Sequence, residues 1–354
     1  MRTLLVAGPR KPPEAQLRAQ IASDEMPDTM WFEDAIGAMS VDEDLLATVP
    51  GLPGRLLRAL PFLLAQAIET FRRRRDVDAA FCWGEIPSIT TALVLTFSRR
   101  PVLAALLLWP SKPKKAIPLR ILARRIDVWL VPSPLQADFV RDRLKVAPDR
   151  IARITWPVDT RYWRPKAEAQ DAICAVGQEM RDYPTFIEAI RPLGIPCHVA
   201  IGASVFAETS ESWYADLRGD LPPGVTVGPK SYQELRELYA QARFVVVPLR
   251  PSVNDSGITA ILEAMSMGRA VIVTETPGQT GTLVDGVNCR RVPPHDPIAL
   301  REAMSALWQD PELCDRLGKA GRELVENVYD TRIWTNTIVD AINERRPPAA
   351  QDRR

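Results

Sequence analysis

The chain has 354 residues, 46% hydrophobic and 25% charged, a composition that suits two soluble globular domains. Its longest apolar run, Val102 to Trp109, is bounded by Pro101 and Pro110 and is far too short to span a bilayer. Two histidines (His198 and His295) and five scattered cysteines exclude a His-based metal site, a zinc motif and a disulfide framework.

In chain order, short apolar strands alternate with longer helical patterns. The start reads directly as a strand, Thr3 to Ala7, with no signal-peptide pattern, and Gly8 follows it. A helix is expected over Leu56 to Phe71, ending in Arg72-Arg73-Arg74-Arg75. Strands follow at Ala79 to Trp83, Val102 to Trp109 and Val128 to Pro132. Glu85 ends the second of these four strands and is a candidate for binding or deprotonating a hydroxyl. Trp109 is read as core, and Lys112, Lys114, Lys115, Arg120, Arg124 and Arg125 as a basic cluster. A linker is expected near Trp163-Arg164-Pro165-Lys166, punctuated by Pro157 and Pro165. Four more strands follow, at Ala172 to Val176, Cys197 to Ile201, Phe244 to Pro248 and Ala270 to Thr274, with a helix over Tyr232 to Gln241. Two runs of β/α units predict two doubly wound parallel sheets.

Charge divides the same way. Residues 1–166 carry 26 Lys and Arg against 18 Asp and Glu, a net +8; residues 167–354 carry 19 against 26, a net −7. The basic clusters of the first half read as a solvated face, and more sharply as attraction to an anionic acceptor or lipid surface. Aromatic residues are not interleaved with the basic ones, which argues against nucleic acid.

The most informative segment runs from Asn254 to Thr274. Ile258, Ile261, Leu262 and Met265 fall at i, i+3, i+4 and i+7, the buried stripe of a helix. Asp255 or Ser256 is expected to cap it, and Gly257 to let a ligand approach. Ser256, Thr259 and Glu263 share another face. Free N–H groups at the first turn suit a phosphate, and a carboxylate two turns in suits a pair of sugar hydroxyls. The plain alternative is a capped amphipathic helix with a solvated Glu.

Five segments in order resemble the retaining glycosyltransferases of family 4, whose architecture of two Rossmann-like domains facing across a cleft is called GT-B. They are Trp156 to Pro165; Val176 to Tyr183; Gly228 to Tyr232 with Leu235, Leu238 and Tyr239; Asp255 to Glu263; and Val284 to Asn288 with Val292 to Pro297. The resemblance implies transfer of a sugar from a nucleotide-diphosphate-sugar to an acceptor hydroxyl, with retention at the anomeric carbon. It implies that Glu263 grips the ribose, that Asp255 stands near the donor sugar, and that Ser256, Gly257, Ile258 and Thr259 hold diphosphate or sugar oxygens through main-chain N–H groups. Arg181 would neutralise the diphosphate beside Gly177 and Gln178. Pro229 and Lys230 would meet the base, and Gly8 would allow close approach of donor and acceptor. The catalytic candidates are thus Arg181, Asp255 and Glu85. No metal is expected, and the nucleotide-sugar is a co-substrate rather than a cofactor.

This sequence departs from the family pattern in three places. Asp255 stands for a Glu, Gln178 for a usual Arg, and no His occurs at Leu106 to Ser111 or at Trp83-Gly84-Glu85. These departures leave two rivals: an idle nucleotide-sugar-binding partner subunit, and a nucleotide-sugar epimerase on the same fold. The expected layout is an acceptor-binding domain over 1–164 and a donor domain over 165–330. A helix over 331–345 is expected to pack back on the first domain, before a disordered tail at 346–354. The expected location is the cytoplasm, with peripheral contact at the inner face of a membrane, and the acceptor is a small molecule, a glycan or a lipid.

Overall fold

The computed structural model describes residues 1–8, 13–166, 171–201, 221–279 and 281–346. It divides into two compact units. One comprises 1–14, 29–155 and the chain from 332 on; the other comprises 15–28 and 156–331.

The first unit is built on a parallel sheet of six strands: β1 (Thr3–Val6), β2 (Met39–Ser40), β3 (Ala79–Trp83), β4 (Val102–Leu106), β5 (Val128–Val131) and β6 (Ile151–Arg153). Their order is β2-β1-β3-β4-β5-β6. Both faces are covered, which is why these strands read as unbroken apolar runs. From β2 onward every crossover moves the same way along the sheet. The right-handed rule therefore lays the helices from Glu43–Thr48 to Pro134–Asp142 on one face. There Leu4, Val6, Leu103 and Ala105 pack with Leu57, Ala65, Ala92 and Leu119. On the other face Phe81, Ala104 and Leu130 pack with Phe32 and with Trp334, Ile338 and Ile342 of the C-terminal helix. Trp334 meets Trp31 and Phe32 edge-on at centroid distances of 5.0 and 5.2 Å.

The second unit repeats the plan with β7 (Ala172–Val176), β8 (Cys197–Ile201), β9 (Val225–Pro229), β10 (Ala242–Val247), β11 (Ala270–Thr274) and β12 (Arg290–Val292). The order is β12-β11-β10-β7-β8-β9, all parallel. The chain leaves β7 toward β8 on one side, and β10 lies on the other, so the strand order reverses between β7 and β10. That is where an open α/β sheet leaves a crevice at its carboxyl edge.

Three expectations are corrected here. Trp163-Arg164-Pro165-Lys166 is not a free linker: Tyr162 and Trp163 are buried in the second unit's core. The Ser266 hydroxyl and the Arg322 guanidinium both donate to the Trp163 carbonyl, at 2.6 and 2.8 Å. The second unit therefore starts at Trp156, and it also takes 15–28, where Arg236 pairs with Asp24 at 2.9 Å and the Tyr162 hydroxyl donates to the Glu25 carbonyl. The strand read as Val102 to Trp109 stops at Leu106, for a reason given below. The tail from 347 on lies outside the described residues. Among the described residues, no helix is long and apolar enough to cross a membrane.

Candidate functional site

The site is built at the strand-order reversal of the second unit. The loop after β7 and the loop and helix after β10 enclose a cavity of about 440 Å³. Gly177, Gln178, Glu179 and Arg181 line it from the first loop. Asp255 to Ala260 and Glu263 line it from the second, and Trp156, Tyr232 and Leu235 complete the wall.

Gly177 leaves the end of β7 at φ +104°, and a Cβ there would lie 2.0 Å from Arg181 Nη2. A side chain at 177 would therefore push the guanidinium out of place. Arg181 is buried. Its Nε donates to the Val176 carbonyl and its Nη1 to the Glu179 carbonyl, both at 2.7 Å, and no carboxylate pairs with it among the described residues. Burial lowers its pKa, the mark of a cation short of a counter-charge. The loop itself is pinned to the strand end beside it: Asp182 N–H donates to the Pro248 carbonyl, and Arg250 N–H to that of Met180.

The helix after β10 runs Ile258–Ser266, and its cap differs from the expected one. Gly257, at φ +81°, takes the N-cap position, and no side chain caps the helix. A Cβ at Gly257 would come within 3.0 Å of Leu249 and Val247, so the chain turns here only because the residue is glycine. Ser256 turns away to bond the Ser252 hydroxyl at 3.0 Å. The first-turn N–H groups of Thr259 and Ala260 thus keep their donors on the cavity side. Ile258, Ile261, Leu262 and Met265 are buried as the stripe predicts.

Asp255 is buried beside this helix start, and neither of its carboxylate oxygens has a hydrogen-bond partner. Desolvation raises its pKa to about 7. Glu263 is buried too, rather than solvated as in the plain reading of the helix. Desolvation raises it to about 8, against the opposing effects of the Tyr239 hydroxyl, which donates to Oε2 at 3.0 Å, and of Arg181. The cavity therefore presents one cation with no carboxylate partner among the described residues and two carboxyl groups whose pKa values burial raises, Asp255 to about 7 and Glu263 to about 8. Among the described residues no group of three or more His, Cys, Asp or Glu is placed to hold a metal ion.

Four sequence candidates lie elsewhere. Pro229 is exposed, and Lys230 lines a separate concavity of about 480 Å³ with His198 and Glu234. Neither lines the cavity around Arg181, whose wall includes Trp156 and Tyr232. Trp156 Nε1 is buried without a partner, a donor that no sequence pattern announced. Gly8 is exposed after β1 in the first unit.

Glu85, also in the first unit, has a structural task in place of the expected hydroxyl chemistry. It is buried; its Oε1 accepts from Leu108 N–H at 2.7 Å and from Trp109 N–H, and its Oε2 accepts from Lys115 Nζ at 2.8 Å. Three of its hydrogen bonds are thus spent on bracing this part of the chain. By capturing these two N–H groups it ends β4 at Leu106. Lys115 is accordingly part of a brace rather than of a solvated cluster. Trp109 is half-buried rather than core, with Lys112 Nζ 3.9 Å above its ring. Glu85→Ala removes the acceptor of two N–H groups and the partner of the partly exposed Lys115 ammonium, and should destabilise the first unit by about 2 kcal/mol in denaturant unfolding. A loss under about 0.5 kcal/mol would show that the brace carries no weight.

Two doubly wound parallel-sheet units, the second with its cavity at the strand-order reversal, are the GT-B architecture. Residues 174–310 match the family described as "Glycosyl transferases group 1". An uncharacterized glycosyltransferase from Methanocaldococcus jannaschii is 31% identical over 97 residues, which span 27% of this chain and 27% of that protein. Among solved structures, sucrose-phosphate synthase from Thermosynechococcus elongatus superposes with a TM-score of 0.72 at 15% identity, covering 97% of this chain and 99% of that one. The Anabaena protein HepE, solved in complex with UDP, gives 0.71 at 13% identity over 97% and 100%. A glycosyltransferase from Rickettsia africae gives 0.68 at 15% identity over 97% and 98%. At these identities the likeness establishes the fold.

Proposed function

We propose that this protein is a glycosyltransferase that moves a sugar from a nucleoside-diphosphate donor to an acceptor hydroxyl with retention of the anomeric configuration. The observation that carries the proposal is the buried Arg181 guanidinium, with no carboxylate partner among the described residues, in one cavity with the open start of the Ile258–Ser266 helix. A diphosphate supplies the missing counter-charge to both. As the donor's anomeric bond breaks, negative charge grows on the leaving phosphate. Arg181 and the helix start are already oriented to receive it, so stabilisation comes without reorganisation. The unpartnered Asp255 oxygens fit donor-sugar hydroxyls, which would satisfy acceptors that are otherwise orphaned. Glu263, held by Tyr239 through one oxygen, has the other for the ribose. A leaving phosphate oxygen can take the acceptor proton, so the reaction needs no strong protein base. That fits a chain in which Glu85 is occupied. Catalysis without a metal, a cytoplasmic location and a hydroxyl-bearing acceptor belong to the same reading.

Proton NMR of the reaction tests the stereochemistry. The first-formed product should carry the donor's anomeric configuration; the inverted anomer would rule out retention. At pH 9, where Glu263 is ionised, Glu263→Gln should weaken donor binding about tenfold in calorimetry, the value of one charge-assisted hydrogen bond. Unchanged affinity would remove Glu263 from the site.

A further inference from the structure

We propose that the outer faces of the helices Glu85–Val94 and Pro113–Ile121 form a docking surface for an anionic lipid bilayer. The two helices pack side by side on the same face of the first unit's sheet, so their outer surfaces point the same way. On the first, Ile86, Leu93 and Phe97 recur at i, i+7 and i+11, one stripe continued into the turn after the helix. Their exposures are 42%, 61% and 103%. On the second, Ile117 and Ile121 are 63% and 75% exposed at i and i+4. Exposed apolar residues scattered singly need no explanation, but two aligned stripes on neighbouring helices do.

The charge around the stripes selects the occupant. Residues 86–126 contain eight Lys or Arg and no Asp or Glu; Lys115 and Arg125 pair with Glu85 and Asp127, and the other six are exposed. Lys114 and Arg124 continue the Ile117–Ile121 stripe at either end, three residues from each, and both are exposed. Arg99 and Arg100 follow Phe97 and are exposed as well. A second copy of the chain would bring like charge against like charge across this face. An anionic bilayer matches both components: apolar side chains enter the headgroup boundary while Lys and Arg reach lipid phosphates. Neither helix is long enough to span, so the contact is peripheral. The stripe starts at Ile86, directly beyond the carboxyl end of β3. The inference stands on the first unit alone and does not depend on the transfer reaction.

The test is sedimentation with phosphatidylcholine vesicles, with and without phosphatidylglycerol, across a salt series. The protein should bind only the vesicles containing phosphatidylglycerol, and added salt should weaken binding because exposed charges are screened. Leu93→Ser with Phe97→Ser should lower the partition coefficient at least about tenfold. Lys114→Glu with Arg124→Glu should remove the preference for phosphatidylglycerol. Thermal melts identify any variant that fails to fold. A Thr90→Cys protein carrying an environment-sensitive dye gives an independent reading. The five described cysteines are all buried, so the label reports on the stripe, and its emission should shift blue on vesicles containing phosphatidylglycerol. Donor binding should be unchanged in every variant, because none of these residues lines the cavity. Three results would overturn the proposal: no sedimentation at low salt, wild-type partitioning by both double variants, or a wild-type dimer that Phe97→Ser converts to monomer.

Discussion

Asp255→Asn is expected to stabilise the protein at pH 8 while abolishing sugar transfer. The wild-type carboxyl lies in the cavity wall with no partner on either oxygen among the described residues, and burial alone raises its pKa from 3.8 to about 7. Below 3.8 the group is protonated in both the folded and unfolded chains, and it makes no difference to stability. Between 3.8 and about 7 the unfolded chain releases the proton first, so stability falls as pH rises. Above about 7 the whole cost is present, on the order of 2–4 kcal/mol. Asn carries no charge to desolvate, so the variant should melt about 5 °C higher at pH 8. At pH 5 the difference should shrink to roughly a third, and below about pH 3.8 it should vanish. Because Glu263 titrates in both, the difference between them isolates Asp255. Transfer should fall at least about 100-fold in kcat/KM, since the amide loses the acceptor capacity for sugar hydroxyls. A residue that costs stability in the empty protein and is needed in the working one is the pattern of a functional group. Equal melting temperatures at pH 8, or retained transfer, would remove Asp255 from that role.

Arg181→Ala is expected to lower kcat by roughly 100- to 1,000-fold, the usual cost of deleting a donor aimed at developing negative charge. The guanidinium is fixed by two carbonyls and by the absence of a side chain at Gly177, so its remaining N–H groups are placed before the donor arrives. KM for the donor should change less than kcat, because charge on the leaving phosphate is greatest in the transition state. A larger change in KM than in kcat would make Arg181 a ground-state clamp. Unchanged kinetics would remove it from the reaction.

The fold was largely legible. The apolar runs of β1, β3 to β5, β7, β8, β10 and β11 need no partner to be recognised, since a strand covered on both faces is apolar throughout. The edge strands β2, β6 and β12 have two or three residues and carry no such run. β9 has five, but its exposed Thr226 and Pro229 break the pattern. The helix stripe from Ile258 to Met265 was legible because its spacing is local.

What the sequence hid depends on contacts between distant residues. Glu85 looks like any carboxylate at a strand end; its partners stand 23 to 30 positions away. The Tyr239 bond to Glu263 spans 24 positions, and it is burial, against the pull of that bond, that raises the pKa of a residue expected to be solvated. The cap was misread for a local reason. Asp and Ser are favoured N-caps, but a Gly in the left-handed region can hold the position by geometry alone, which frees Asp255 for the cavity.

The most direct test is calorimetric titration of UDP, GDP and ADP into the wild-type protein and into Glu263→Gln. At pH 9, where Glu263 is ionised, one nucleotide should bind the wild type at a single site, and about tenfold more weakly to the variant. If none of the three binds the wild type, or if the variant binds as tightly, the cavity around Arg181 and Glu263 is not a nucleotide-sugar site.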